Sequence, residues 1–116
     1  MTDSTAEYET QIRSGQIVPG MTFAQKVWAV TARIPRGSVL TYADLARKLK
    51  STGYRAVGQA LHRNPYAPAV PCHRVVGSDG RLTGYAKGLA AKRRLLEAEG
   101  VRFIGQRVDL SQRLGR

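Results

Sequence analysis

The chain is 116 residues long and carries 19 lysines and arginines against 8 aspartates and glutamates, a net charge of +11, with a single cysteine. That length suits one domain and leaves no room for two sizeable cores, while a composition 42% hydrophobic and 23% charged excludes a wholly disordered chain. No apolar run approaches the ~18 residues that span a bilayer, the N-terminus lacks the basic start and apolar stretch of a signal peptide, and one cysteine forms neither an internal disulfide nor a cysteine-rich zinc site.

The expectation is therefore a cytoplasmic, monomeric protein with no membrane partner. Asp3, Glu7 and Glu9 gather in the first twenty residues, where Arg13 is the one basic side chain, so the positive excess falls on the remainder. A small domain this basic suits a polyanion, because neutralising phosphates releases condensed counterions. Nucleic acid is favoured over an anionic membrane surface, since no Lys/Arg-rich amphipathic helix with an aromatic apolar face is present.

Residues 1–20 read as a polar arm, frayed or forming a short docked helix. From Thr22 the pattern turns helical: Thr22 and Gln25 make a capping box, and Phe23, Val27, Val30 and Ile34 recur at helical spacing. Pro35-Arg36-Gly37 stops this helix, Val39-Leu40 reads as a strand fragment, and Thr41 caps a helix whose Leu45 and Leu49 share a face. After the Ser51-Thr52-Gly53 break a third helix runs from Tyr54 to His62 and ends before Asn64-Pro65. Two short helices joined by a Gly-containing turn fit a helix-turn-helix, or equally a plain packed pair. Val75-Val76, the Gly77-Ser78-Asp79-Gly80 turn and Arg81-Leu82 predict a small hairpin. A last helix follows Gly88 and ends at Gly100, Val101-Arg102-Phe103 returns as a strand, and the basic tail after Gln106 is expected to be loosely held. Lys92-Arg93-Arg94 reads as a solvated face or a phosphate contact.

Cys72 stands in Val70-Pro71-Cys72-His73-Arg74-Val75-Val76, with an imidazole and a guanidinium directly after the sulfur. Nearby positive charge favours the reactive thiolate, although a lone cysteine among valines also suits an inert core. His62 and His73 lack partners at ligand spacing, so no metal site is expected.

The string Pro71 to Val76 strongly resembles the O6-alkylguanine-DNA alkyltransferase family. The resemblance covers roughly residues 21–100, through Thr22-Phe23, Val27-Trp28, Ile34-Pro35 with Gly37, Thr41-Tyr42, Arg55-Ala56-Val57-Gly58, Asn64-Pro65, Gly80, Gly84-Tyr85, Gly88-Leu89, Lys92, Leu95-Leu96 and Glu99-Gly100. It implies a protein that extrudes an alkylated guanine from double-stranded DNA and moves the alkyl group irreversibly from O6 to a cysteine, with no cofactor. By this resemblance Cys72 is the acceptor, His73 the base acting through a water, and Glu99 the carboxylate that orients it. Tyr42 donates toward the flipped base, Arg55 enters the stack in its place, and Asn64 ties the turn after the recognition helix to the active-site loop. Thr41, Ala56, Gly58 and Leu61 fall on the implied DNA side, with small residues permitting close approach to a minor groove. By the same resemblance the backbone around Cys72 and Val75 and the loop that carries Tyr85, Ala86 and Lys87 line the base pocket together with Tyr42.

The expected fold is mainly α with a small β-hairpin, a winged helix-turn-helix-like DNA-binding domain over residues 21–105, flanked by the arm 1–20 and the tail 106–116. Most family members carry a separate domain ahead of this one. The size here is instead that of the alkyltransferase-like proteins, which bind alkylated guanine without transferring the group, mark it for nucleotide excision repair proteins, and usually carry another residue where Cys72 stands. Retention of Cys72, His73 and Glu99 favours chemistry. Ala86 in a place often held by serine, Lys87 after it, and Ala67 where many active members have proline are departures that bear on the pocket.

Overall fold

Helix α1, Glu9–Arg13, opens the computed structural model, which describes residues 7–85 and 87–113. Five residues do not sustain a helix alone; this one is held because Ile12 is fully buried against α2, Phe23–Ala32. The N-terminus of α2 is closed by the expected capping box, with Gln25 N donating to Thr22 Oγ1 at 3.1 Å and Thr22 N to Gln25 Oε1 at 2.8 Å. Val27, Trp28 and Val30 fill the core, and the Trp28 indole N–H donates to the Ala60 carbonyl at 2.7 Å, fastening α2 to the helix that carries Ala60.

Leu40–Thr41 forms β1, and Thr41 also caps α3, Tyr42–Lys48, through a second box with Asp44. Helix α4, Tyr54–His62, follows a turn with Gly53 at its N-cap, and turns Val57, Ala60 and Leu61 inward. The helix pair α3–α4 packs on α2 in the helix-turn-helix arrangement.

The strands differ from the expectation in one respect. Val75–Val76 (β2) does not fold back on Arg81-Leu82 but pairs in parallel with β1, Leu40 opposite Val75 and Thr41 opposite Val76. Parallel neighbours need a long crossover, and residues 42–74 supply it with both helices. The Asp79-Gly80 turn exists, closed by Gly77 N to Arg81 O at 2.8 Å, yet Arg81 bridges to Arg107. Here Gly80 is obligatory: φ is +88° and a Cβ would stand 2.5 Å from the Val108 carbonyl. The hairpin is instead β3, Phe103–Ile104, with β4, Arg107–Val108, beyond helix α5, Leu89–Ala98.

The tail is also tied down through Arg113. Val108 is buried with Val39, Val76, Leu96 and Val101 in a second apolar cluster, and Arg113 bridges to Val39 and pairs with Asp44 at 3.4 Å. The tail's apolar residues, Val108, Leu110 and Leu114, are scattered among polar and basic ones, too sparse to show periodicity in the sequence.

Candidate active site and nucleic-acid interface

Cys72 begins a single 3-10 turn, Cys72–Arg74, closed by Arg74 N donating to Pro71 O at 2.9 Å and entered through Cys72 N donating to Val70 O at 2.9 Å, and its side chain is half-buried. The loop leading into it is shaped by Asn64, which donates from Nδ2 to Val70 O and accepts from Tyr66 N, both at 2.9 Å. Those two bonds span the loop between α4 and the cysteine.

His73 is turned inward, 3% exposed, with Nε2 2.8 Å from Glu99 Oε2. With the carboxylate accepting, the proton belongs on Nε2 and the lone pair on Nδ1. Nδ1 is buried and has no hydrogen-bond partner among the described residues. Glu99 caps the C-terminus of α5 and also accepts from Arg74, Nε to Oε1 at 2.8 Å and Nη2 to Oε2 at 2.9 Å. Arg74 completes its set by donating to Ile34 O at 2.7 Å, joining the site to the end of α2. Burial lowers the His73 pKa, and the neighbouring Glu99 only partly opposes it, so the imidazole stays neutral below its usual range. For Glu99, burial pushes the carboxyl up, but the hydrogen bonds from Arg74 and His73 outweigh it and hold it below its ordinary value.

Lys92 corrects the expectation of a solvated or phosphate-facing run. It lies on the inner face of α5 at 1% exposure and donates to Val75 O at 2.7 Å and Thr83 O at 2.9 Å. Burial pulls its pKa down to about 8. Thr83 is a shared node: its carbonyl also accepts from the Tyr42 hydroxyl at 3.2 Å, and its own hydroxyl donates back to Tyr42 at 2.9 Å. Burial raises the Tyr42 and Tyr85 pKa values, with negative charge at Cys72 adding to both. The Tyr85 ring stands edge-on to His73, centroids 6.4 Å apart.

Two cavities meet here. A small one, about 60 Å³, opens over Cys72 and is lined by Leu61, Asn64, Ala67, Tyr85 and Lys87. An open groove of about 830 Å³ runs along the outer face of α4, walled by Tyr42, Tyr54, Arg55, Gly58 and Thr83. His62 and Gly84 line both, so they form the threshold between groove and sulfur.

Among the residues singled out from sequence, Cys72, His73, Glu99, Asn64, Leu61, Tyr85 and Lys87 thus converge around one point, and Tyr42, Arg55 and Gly58 face the adjoining groove. Thr41 does not reach the DNA side: it is 1% exposed and its hydroxyl accepts from Asp44 N, because it is the cap of α3. The Val75 side chain is core, and the backbone expected at the pocket has its carbonyl accepting from Lys92. Ala56 is exposed on α4 but outside the groove lining, and Ala86 lies outside the described residues. From sequence, Arg74 reads only as positive charge beside the thiol, not as the partner of Glu99, and no role falls to Thr83, Tyr54 or His62. Arg74 directly follows the Cys-His pair, a position from which its role could have been suspected. Among the described residues no cluster of three or more His, Cys, Asp or Glu suits a metal ion, and no helix is long and apolar enough to cross a membrane.

Residues 22–101 match the family described as 6-O-methylguanine DNA methyltransferase, DNA binding domain. A methylated-DNA–protein-cysteine methyltransferase of Methanosarcina barkeri is 51% identical over 81 residues, covering 69% of this chain and 51% of the relative. The chain thus spans about half the length of the curated relatives it matches. Among solved structures, Mycobacterium tuberculosis OGT in complex with DNA superposes with a TM-score of 0.66 at 36% identity, covering 83% of this chain and 65% of that one. S. pombe Atl1 in complex with damaged DNA containing O6-carboxymethylguanine gives a TM-score of 0.62 at 33% identity, covering 71% of this chain and 79% of that one.

Proposed function

The chain belongs to the 6-O-methylguanine DNA methyltransferase family, and from that premise we propose that it repairs DNA by drawing an O6-alkylated guanine out of the duplex and moving the alkyl group onto Cys72. The observation that carries this reading is the buried His73–Glu99 pair next to the cysteine, 2.8 Å long, with His73 Nδ1 left bare. In the proposed step the Cys72 thiol gives its proton, through one water, to Nδ1. The thiolate then attacks the alkyl carbon, the carbon–O6 bond breaks with its electron pair returning to the purine, and the proton passes on to the guanine ring. A thioether and an unmodified guanine result, so atoms and charge balance without a further reactant.

The roles around the step follow from position. Glu99 holds the imidazole in the accepting tautomer and stabilises its charge after proton uptake. Arg74 and Lys92 supply positive charge around the site while fixing Glu99 and the carbonyls of Val75 and Thr83. The Tyr42 hydroxyl, already at the groove wall, exchanges Thr83 for the departing purine. Arg55, exposed at the start of α4, occupies the gap in the stack.

A second reading is favoured by the Atl1 superposition, where the chain spans most of the other protein's length. In it the base is extruded and held without transfer, and the complex is presented to nucleotide excision repair proteins. The two separate at Cys72. Cys72→Ser is expected to abolish transfer from a lesion duplex while retaining lesion binding, whereas Arg55→Ala weakens lesion capture under both readings. Transfer that persists in Cys72→Ser would refute the assignment of the acceptor.

A further inference from the structure

We propose that Tyr54 is a stacking platform for the nucleobase that flanks the extruded nucleotide, and that Gly58 leaves the space this base occupies. The proposal rests on the extrusion reading above and adds a contact to it.

Helix α4 buries Val57, Ala60 and Leu61, which leaves Tyr54, Arg55, Gly58, Gln59 and His62 on its outer face. Tyr54, Gly58 and His62 stand four residues apart, in one row along the groove. Tyr54 is 55% exposed, and among the described residues its ring meets no other ring and its hydroxyl no hydrogen-bond partner. An aromatic side chain more than half exposed, and absent from both core clusters, contributes little to the core.

Gly58 has no internal reason to be glycine. Its φ is not positive, and a Cβ built there would meet no atom within 4 Å. A mid-helix glycine weakens a helix relative to alanine, so the residue costs stability where the fold has room for a side chain. What benefits is whatever approaches from outside. One turn from an exposed tyrosine, beside an exposed arginine and on the wall of a groove in a chain of charge +11, the fitting object is a flat base carried on a phosphate backbone. Every base has a π-face, so stacking on Tyr54 is indifferent to sequence, as a repair protein working in any context requires. Arg55 would then fill the vacated position while Tyr54 holds the neighbour, keeping the interrupted stack from collapsing.

The test uses a duplex with one O6-methylguanine and 2-aminopurine as its 3′ neighbour, titrated with wild type, Tyr54→Phe, Tyr54→Ala and Gly58→Ala at fixed salt. Tyr54→Ala is expected to weaken lesion binding roughly five- to hundredfold and to raise the 2-aminopurine fluorescence of the saturated complex. Tyr54→Phe keeps both near wild type, because stacking needs the ring and not the hydroxyl. Gly58→Ala raises the melting temperature while lowering affinity, a pairing of signs that a purely structural residue does not produce. Unchanged affinity and fluorescence in Tyr54→Ala would overturn the proposal, and so would an equal loss in Tyr54→Phe, which marks a phosphate hydrogen bond instead. Wild type that fails to distinguish lesion from plain duplex overturns the extrusion reading itself, and that result is visible before any variant is compared.

Discussion

His73 and Lys92 set the two sides of the pH dependence. Burial lowers the His73 pKa below its ordinary 6.5, so Nδ1 is free to take a proton at neutral pH and is lost as a base only on acidification. Lys92, brought down to about 8 by burial, sheds its charge on the alkaline side and loosens its hold on the Val75 and Thr83 carbonyls. The single-turnover rate is therefore expected to be maximal near neutrality, falling on the acid side below the ordinary imidazole range and on the alkaline side above about pH 8. A rate that keeps rising through pH 9 would remove Lys92 from the site's electrostatics. Glu99→Gln should slow transfer by about 10²-fold or more by freeing the imidazole tautomer, and should cost roughly 3 kcal/mol of stability because Arg74 loses its buried carboxylate. The sign on the acid side is consistent for stability as well. Glu99 has a depressed pKa, so its contribution is present above its ordinary 4.5 and lost as pH falls through the folded value. His73, also depressed, makes the unfolded state the better proton binder below 6.5, which again lowers stability in acid. Cys72 and His73 are legible in the sequence as neighbours, and Glu99 through the family resemblance. Lys92 is not, because in Lys92-Arg93-Arg94 three cations look alike until the helix turns one of them inward.

Caps and short apolar runs made the helices readable, since both are local. Thr22 with Gln25 and Thr41 with Asp44 close their helices within three residues, and such boxes need no knowledge of the rest of the chain. Replacing Thr41 by Ala should cost about 1 kcal/mol and, because Tyr42 is the next residue, should also disturb the Tyr42–Thr83 bonds. Thermal unfolding and the transfer rate, measured together, check this; a stability loss with no change in rate would mean that Tyr42 is positioned by Thr83 alone. The strands were the opposite case. Each is two residues long, and β1 and β2 lie more than thirty residues apart in the chain, so their parallel pairing has no local signature. An Asp-Gly turn beside two valines reads as a hairpin because turn chemistry is local while the choice of partner is not. Buried on both sides, Val75 and Val76 belong to a strand between two clusters, a pattern that two residues are too few to display.

Across the whole molecule, the short β1–β2 seam joins the helix-turn-helix half to the half that carries α5 and the terminal hairpin. Cys72 sits just ahead of that seam, where Val75 belongs to the first core and Val76 to the second. This position lets α4 offer the groove while α5 supplies Glu99 and Lys92 behind the sulfur. Asp44 and Glu99 are turned inward and paired with arginines, which ties both halves of the molecule together from within. Whether the whole assembly performs transfer is decided most directly by intact-protein mass spectrometry after incubation with a duplex containing one O6-methylguanine, unmodified duplex serving as control. The expected result is the gain of one methylene mass, stoichiometric with lesion and mapped to Cys72. An unchanged mass in protein that nevertheless binds the lesion duplex more tightly than the control would contradict transfer and leave lesion sensing as the function.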